Sequence, residues 1–248
     1  MPPYDKHLET SAARTGKDYQ AMHDWLDNSP EMKASRHSLD KLPENIAFVR
    51  ASWGDEAVSE YLLHVVEDVA MQDIEALGKA GCPAEAVTHS IEVARKALEL
   101  SSRVRVPADR RLVIRGAIYH DLGKARTYGM EHGEIGLHMA NELQLSEEIK
   151  QIILKHVRGG LTAPEAVELG LPVRDYTLRT IEEKLVVYSD RLVDIYTDGI
   201  VPNTSERGAE RDFVEILQDH VKYGKNPVTM ARYIDMHREI HEAMAGAE

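Results

Sequence analysis

Four stretches of the chain each carry a polar, metal-capable residue on or beside an apolar helical face. They are His89, the pair His120-Asp121, His156 and Asp190. His89 sits among Val87, Ile91, Val93 and Leu98, and His120-Asp121 closes a stretch holding Leu112, Ile114, Ala117 and Ile118. His156 extends the stripe Ile149, Ile152, Ile153 by seven residues from the first, which turns it inward. Asp190 lies three or four residues from Val186, Val187 and Val193. Burying an imidazole or carboxylate is costly unless it is paired, hydrogen-bonded or bound to metal. Taken singly, each is most simply a satisfied core histidine, a helix cap or half of an ion pair. Several converging in one helical core point to a metal site. Mixed imidazole and carboxylate donors suit Fe, Mn, Co, Ni or Zn better than Ca.

The elements that must position these groups read as helices throughout, with no run of period-2 strands, so the expected fold class is all-α. Residues 1 to about 45 are polar and interrupted by Gly16, Pro30 and Pro43. They read as a loose, partly flexible extension with a short helix near Asp18–Leu26, docked through Trp25 or used in oligomer contacts. Glu56–Val69 is amphipathic, Met71–Ala80 is a short helix stopped by Gly81, and Pro83 opens a helix running to about Leu100. Arg110–His120, Gly133–Leu143 and Ser146–Val157 follow. Thr162 with Glu165, and Thr180 with Glu183, have capping-box spacing, the second opening a helix through Asp194. Residues 205–246 read as two helices separated near Gly224 to Pro227. The division expected is an N-terminal helical extension (1–69), a central helical bundle (70–200) and a C-terminal helical extension (201–248).

With 30 Lys and Arg against 42 Asp and Glu, the formal net charge is −12. So acidic a surface disfavours nucleic acid, while a phosphorylated small molecule can still bind where metal ions supply local positive charge. The single cysteine, Cys82, excludes an internal disulfide and reads as a small buried hydrophobe. No apolar window is long enough for a membrane span, and a cytoplasmic location is expected.

The segment His120-Asp-Leu-Gly-Lys124, with His89 upstream and Asp190 downstream, resembles the HD superfamily pattern of H, then HD, then D. The resemblance implies that His89, His120, Asp121 and Asp190 ligate one metal. Glu131-His132-Gly133-Glu-Ile-Gly136 and Leu154-Lys-His156 resemble the two extra histidines of the binuclear HD subgroup, which includes HD-GYP phosphodiesterases and dinucleoside tetraphosphatases. By that resemblance His132 and His156 hold a second ion and Asp121 bridges the two. Further stretches, from Gly160-Leu-Thr-Ala-Pro through Leu169-Gly-Leu-Pro-Val-Arg-Asp-Tyr176 to Ser189-Asp190, are similar to a functionally uncharacterised, largely archaeal HDIG-type family. The resemblance covers roughly residues 70–200.

The implied function is hydrolysis of a phosphoester or phosphoanhydride in a nucleotide-like small molecule by a metal-bound hydroxide. Two divalent transition-metal ions are the implied cofactors. Asp121, Lys124 and Arg126 are the catalytic candidates, the two cations as phosphate contacts. Lys184 is a third phosphate candidate, better read as an i,i+4 pair with surface acids, and Asp194 is better read as a helix-face carboxylate. Arg174, Asp175 and Tyr176 are candidates for substrate selection, and Arg158 for the pocket mouth. A homo-oligomer is the remaining partner expectation. A mixed-valence di-iron oxygenase would use the same ligands, and a non-catalytic sensor or scaffold is the third alternative. His7, His23, His37, His220, His237 and His241 have no motif around them and read as surface residues. The i,i+4 pair His237/His241 is a weak zinc signal.

Overall fold

The computed structural model describes residues 4–27 and 29–245, with side chains from residue 7 onward. Among the described residues every regular element is helical. Three short helices, α1 (Tyr4–Thr15), α2 (Gln20–Asp27) and α3 (Pro30–Arg36), lead into α4 (Leu42–Trp53) and the long α5 (Asp55–Lys79). The middle of the chain forms α6 (Ala84–Ser101), α7 (Arg110–Tyr119), α8 (His132–Glu142), α9 (Glu147–Lys155), α10 (Ala163–Glu168) and α11 (Ile181–Thr197). The C-terminal part forms α12 (Glu206–Arg211), α13 (Phe213–Asp219), α14 (Val221–Gly224) and α15 (Pro227–Ala245).

Helix α7 is the centre of the bundle, touching α5, α6, α9 and α11. Its Val113, Ile114, Ala117 and Ile118 are completely buried, each branched aliphatic contributing about 1.5–3 kcal/mol by leaving water. Asp109 starts the helix by accepting the N–H groups of Arg111 and Leu112, which satisfies two donors that have no partner in the first turn. Helix α11 starts on the expected capping box, where Thr180 accepts the Glu183 N–H. The Glu183 carboxylate also receives the Lys155 ammonium at 2.7 Å. Both side chains are buried, so this ion pair pins the end of α9 to the start of α11.

Four expectations need correction. The N-terminal extension is not loosely packed: Met22, Leu26, Leu42 and Val49 lie in the same core as α7, and Trp25 stacks on Phe48 with ring centroids 4.9 Å apart. The helices expected at Glu56–Val69 and Met71–Ala80 are one helix, α5, because nothing between Val69 and Met71 breaks the backbone ladder. Residues 69 and 70 therefore lie inside an element rather than between domains. The two C-terminal helices expected are four, interrupted at Asp212, at His220 and at Lys225, whose φ is 60°. Finally, Pro83 precedes its helix as the N-cap instead of opening the first turn.

The C-terminal helices are attached by buried cations. The Arg191 guanidinium donates to the Tyr233 hydroxyl at 3.1 Å and lies over its ring. Arg95 on α6 reaches Glu206 at 2.6 Å. Cys82 is buried as expected, its Sγ 3.6 Å from the Leu122 carbonyl. Among the described residues no helix is long and apolar enough to cross a membrane.

Candidate metal centre

Five helices deliver six donors to one place. His89 projects from α6, His120 and Asp121 end α7, His132 begins α8, His156 follows α9, and Asp190 lies on α11. His89 Nε2 is 2.9 Å and His120 Nε2 3.5 Å from the same Asp190 oxygen, Oδ1. His156 Nε2 and His132 Nε2 lie 3.3 and 3.6 Å from Asp121 Oδ1. The other Asp121 oxygen, Oδ2, is 3.2 Å from His120 Nε2. The donors thus form two trios, His89–His120–Asp190 and Asp121–His132–His156, with one oxygen of Asp121 turned toward each.

The ring orientations test whether these groups fit a metal. The Nδ1 atoms of His120, His132 and His156 lie 2.7, 2.6 and 2.7 Å from the carbonyls of Ala117, Gly129 and Ile153. A carbonyl can only accept, so each Nδ1 carries a proton, and a neutral ring then presents a bare Nε2 lone pair inward. His132 Nε2 and His156 Nε2 face each other at 2.8 Å. Two lone pairs at that distance repel unless a cation lies against both. His120 Nε2 is also buried without a hydrogen bond. The donor set fits divalent metal.

The electrostatics agree. Burial disfavours charge on Asp121 and Asp190, yet the imidazoles around them hold both carboxyls well below the usual carboxylate range. Burial would lower the pKa of His120, but Asp121 and Asp190 outweigh it and raise it to about 10. The potential that holds a proton there equally attracts a divalent ion. Burial, with His156 beside it, lowers His132 to about 4, so at neutral pH it is in the form a metal requires. Asp194, partly buried and near the charge of Asp190, is raised to about 6 and pairs with Arg191 at 3.0 Å.

Close backbone approach sets the position of α8. A Cβ on Gly123 would lie 1.9 Å from the His132 carbonyl oxygen, and one on Gly136 would lie 2.7 Å from Ile153 Cγ2. Only glycine at these positions lets the Leu122–Ala125 turn and α9 close on either side of α8.

Of the cations expected near phosphate, Lys124 is at the site, its Nζ 2.5 Å from Asp121 Oδ2. Arg126 is exposed, and its guanidinium donates to the Ala80 and Ala125 carbonyls. Lys184 pairs with Glu239 as a surface ion pair. Arg158 occupies a left-handed turn at φ 53°, its carbonyl accepting from Arg232. Tyr176 is buried against Glu134 and Pro172, and Asp175 caps its own turn through Thr177.

Several surface assignments are wrong. His7 and His23 are buried and His37 is partly buried, because α1, α2 and the end of α3 fold against α5. They gather around His64, a buried histidine that drew no expectation. The available signal was His64 and Asp68, an i,i+4 pair on an apolar helix. His237 is partly buried, with Tyr188 and Phe213 against it. It forms no metal-capable group with His241 among the described residues.

The family model for the HD domain matches residues 86–193. An uncharacterized protein of Methanocaldococcus jannaschii is 33% identical over 166 residues, covering 66% of this chain and 92% of that protein. Two proteins named tRNA (cytidine(56)-2'-O)-methyltransferase are also similar. The one from Picrophilus torridus is 41% identical over 36% of this chain and 26% of its own length. The one from Thermoplasma volcanium is 29% identical over 59% of this chain and 44% of its own length. The chain therefore spans less than half of either. Among solved structures, the HD domain of the L. monocytogenes phosphodiesterase PgpH in complex with cyclic-di-AMP aligns with a TM-score of 0.44 and 16% identity, covering 74% of this chain and 97% of that one.

Proposed function

The chain belongs to the HD superfamily, and from that premise we propose that it is a binuclear metal-dependent phosphohydrolase. Its substrate class would be a phosphoester or phosphoanhydride in a nucleotide-like small molecule. The observation that carries this reading is Asp121, whose Oδ1 faces His132 and His156 while its Oδ2 faces His120. One carboxylate facing both trios would be shared by two ions, with His89, His120 and Asp190 holding one and His132 and His156 the other. When bound, two such ions supply a water-derived nucleophile at neutral pH and neutralise phosphoryl charge.

The chain's own residues do the rest. The three carbonyl-anchored histidines keep their Nε2 atoms aimed without reorganisation. Lys124, whose Nζ lies 2.5 Å from Asp121 Oδ2, would contact a phosphate oxygen, and Arg126 would have to leave the Ala80 and Ala125 carbonyls to serve as a second contact. No side-chain nucleophile is required. His120, Asp121 and His156 are buried, whereas His89, His132 and Asp190 are partly open, so substrate approaches from the side of the latter three.

Metal content per chain of anaerobically purified protein, with a phosphate-release screen over nucleotides on the same sample, tests the proposal. At least two ions per chain with turnover supports it. His132→Ala with His156→Ala is expected to remove one ion, and Asp121→Ala to abolish turnover with the helical circular dichroism retained. A metal count unchanged by the double histidine substitution would sink the binuclear reading. Two irons with oxygen uptake and no phosphate release would replace hydrolysis by oxygenation.

A further inference from the structure

A second set of imidazoles and carboxylates lies away from the HD residues and shares none of them. His7 on α1 forms one metal-capable group with His64 and Asp68, one turn apart on α5, and His37 at the end of α3 shares His64 in a second with Asp27. His37 Nε2 is 2.8 Å from His64 Nε2 and 3.2 Å from Asp68 Oδ2, and His64 Nε2 is 3.5 Å from that same oxygen. A tetrahedral zinc ion with ligands at about 2.0–2.1 Å sets its donors about 3.3 Å apart. The trio's separations, 2.8, 3.2 and 3.5 Å, bracket that spacing. His7 Nε2 approaches the other Asp68 oxygen at 3.7 Å.

Among the described residues, the only groups within reach of the Asp68 oxygens are histidine nitrogens, at 3.2 to 3.7 Å. His7 Nε2 and both Asp68 oxygens are buried and make no hydrogen bond, with the Asp68 side chain 5% exposed and that of His7 3%. A buried carboxylate with neither oxygen hydrogen-bonded is expensive, and metal coordination removes the cost. The outer nitrogens of His37 and His7 are oriented as in a metal site, while that of His64 is buried without a partner. His37 Nδ1 donates to the Lys33 carbonyl at 2.8 Å, and His7 Nδ1 faces the Glu67 carboxylate at 3.4 Å. Nε2 of each is thereby left to face inward. The close His37–His64 contact repeats the 2.8 Å separation of His132 and His156. Asp27, the other carboxylate nearby, is already paired with Lys33.

We propose that His7, His37, His64 and Asp68 form a structural zinc site that fastens α1 and α3 to α5. Four protein donors leave no open position for substrate, which distinguishes this site from the HD centre. It needs no assumption about the reaction catalysed there.

The full-length chain, dialysed against zinc and analysed for metal by mass spectrometry, provides the test. His37→Ala with Asp68→Asn is expected to hold one zinc fewer per chain than the unsubstituted protein. Equal counts overturn the proposal. Should that variant lose its helical circular dichroism, the decision passes to a chain with Asp121, His132, His156 and Asp190 all replaced by Ala. One zinc per chain, with intense visible bands on cobalt(II) substitution, supports the tetrahedral site; no bound metal overturns it.

Discussion

At the scale of single residues, Lys124 is the group whose role is most directly separable from metal binding. Its ammonium lies 2.5 Å from Asp121 Oδ2 but belongs to neither trio of donors. Losing a hydrogen bond to a charged group costs about 1.5–3 kcal/mol, or about 10- to 100-fold. Lys124→Gln is therefore expected to raise KM for a phosphorylated substrate by about that factor while metal content stays constant. An unchanged KM would remove Lys124 from substrate contact. The residues of the HD centre were legible because His120-Asp121 is contiguous and His89, His156 and Asp190 lie on apolar stripes. The N-terminal histidines were not. Residues 7, 37 and 64 meet only through tertiary folding, and no local pattern distinguishes a histidine that will be buried from one that stays in water. The Lys155–Glu183 ion pair was hidden for the same reason: each half alone looks like a helix-surface charge.

At the scale of elements, the site depends on how closely the Leu122–Ala125 turn can approach α8. Gly123→Ala would place a methyl group against the His132 backbone carbonyl, and something must move. Overpacking of this kind costs about 1–3 kcal/mol. The start of α8 is the part able to retreat, taking His132 with it. The expected outcome is a lower Tm and one ion fewer per chain; a variant keeping its full metal content would mean the turn yields instead. Helix existence was readable from caps and apolar spacing for α7, α9 and α11, with ends within two or three residues of those seen. Helix continuity was less readable. Nothing local says whether an amphipathic stretch and the stretch after it share an axis, and α5 runs through both because its buried face continues along α6 and α7. The C-terminal breaks were missed because the turns at Asp212 and His220 carry no glycine or proline.

At the scale of the molecule, the buried imidazoles make stability depend on pH. Burial, reinforced by neighbouring histidines, lowers His23, His132 and His237 to about 4 from their ordinary 6.5. The unfolded chain takes up these protons as pH falls below 6.5, whereas the folded chain resists until about 4. Their contribution is thus fully present above 6.5 and is lost between 6.5 and 4. His120, raised to about 10, acts in a separate window, losing its contribution as pH rises from 6.5 toward 10. Chelator-treated protein should show Tm falling steadily on acidification from 6.5 to 4, with a shallower slope in His237→Gln. A flat Tm across that window would contradict the burial of these rings.

The unbroken course of α5 also decides where the chain can be divided. A cut at residue 70, the expected boundary of the central bundle, would bisect a 25-residue helix that packs along α6 and α7. The natural place to cut is Gly54, which sits between α4 and α5 at φ 89°. A fragment beginning there keeps all six donors of the HD centre and the whole of α5. It sheds His7 and His37 while retaining His64 and Asp68, so a single excision would separate the HD residues from the proposed zinc site, at the cost of removing Leu42, Ile46 and Val49 from the core.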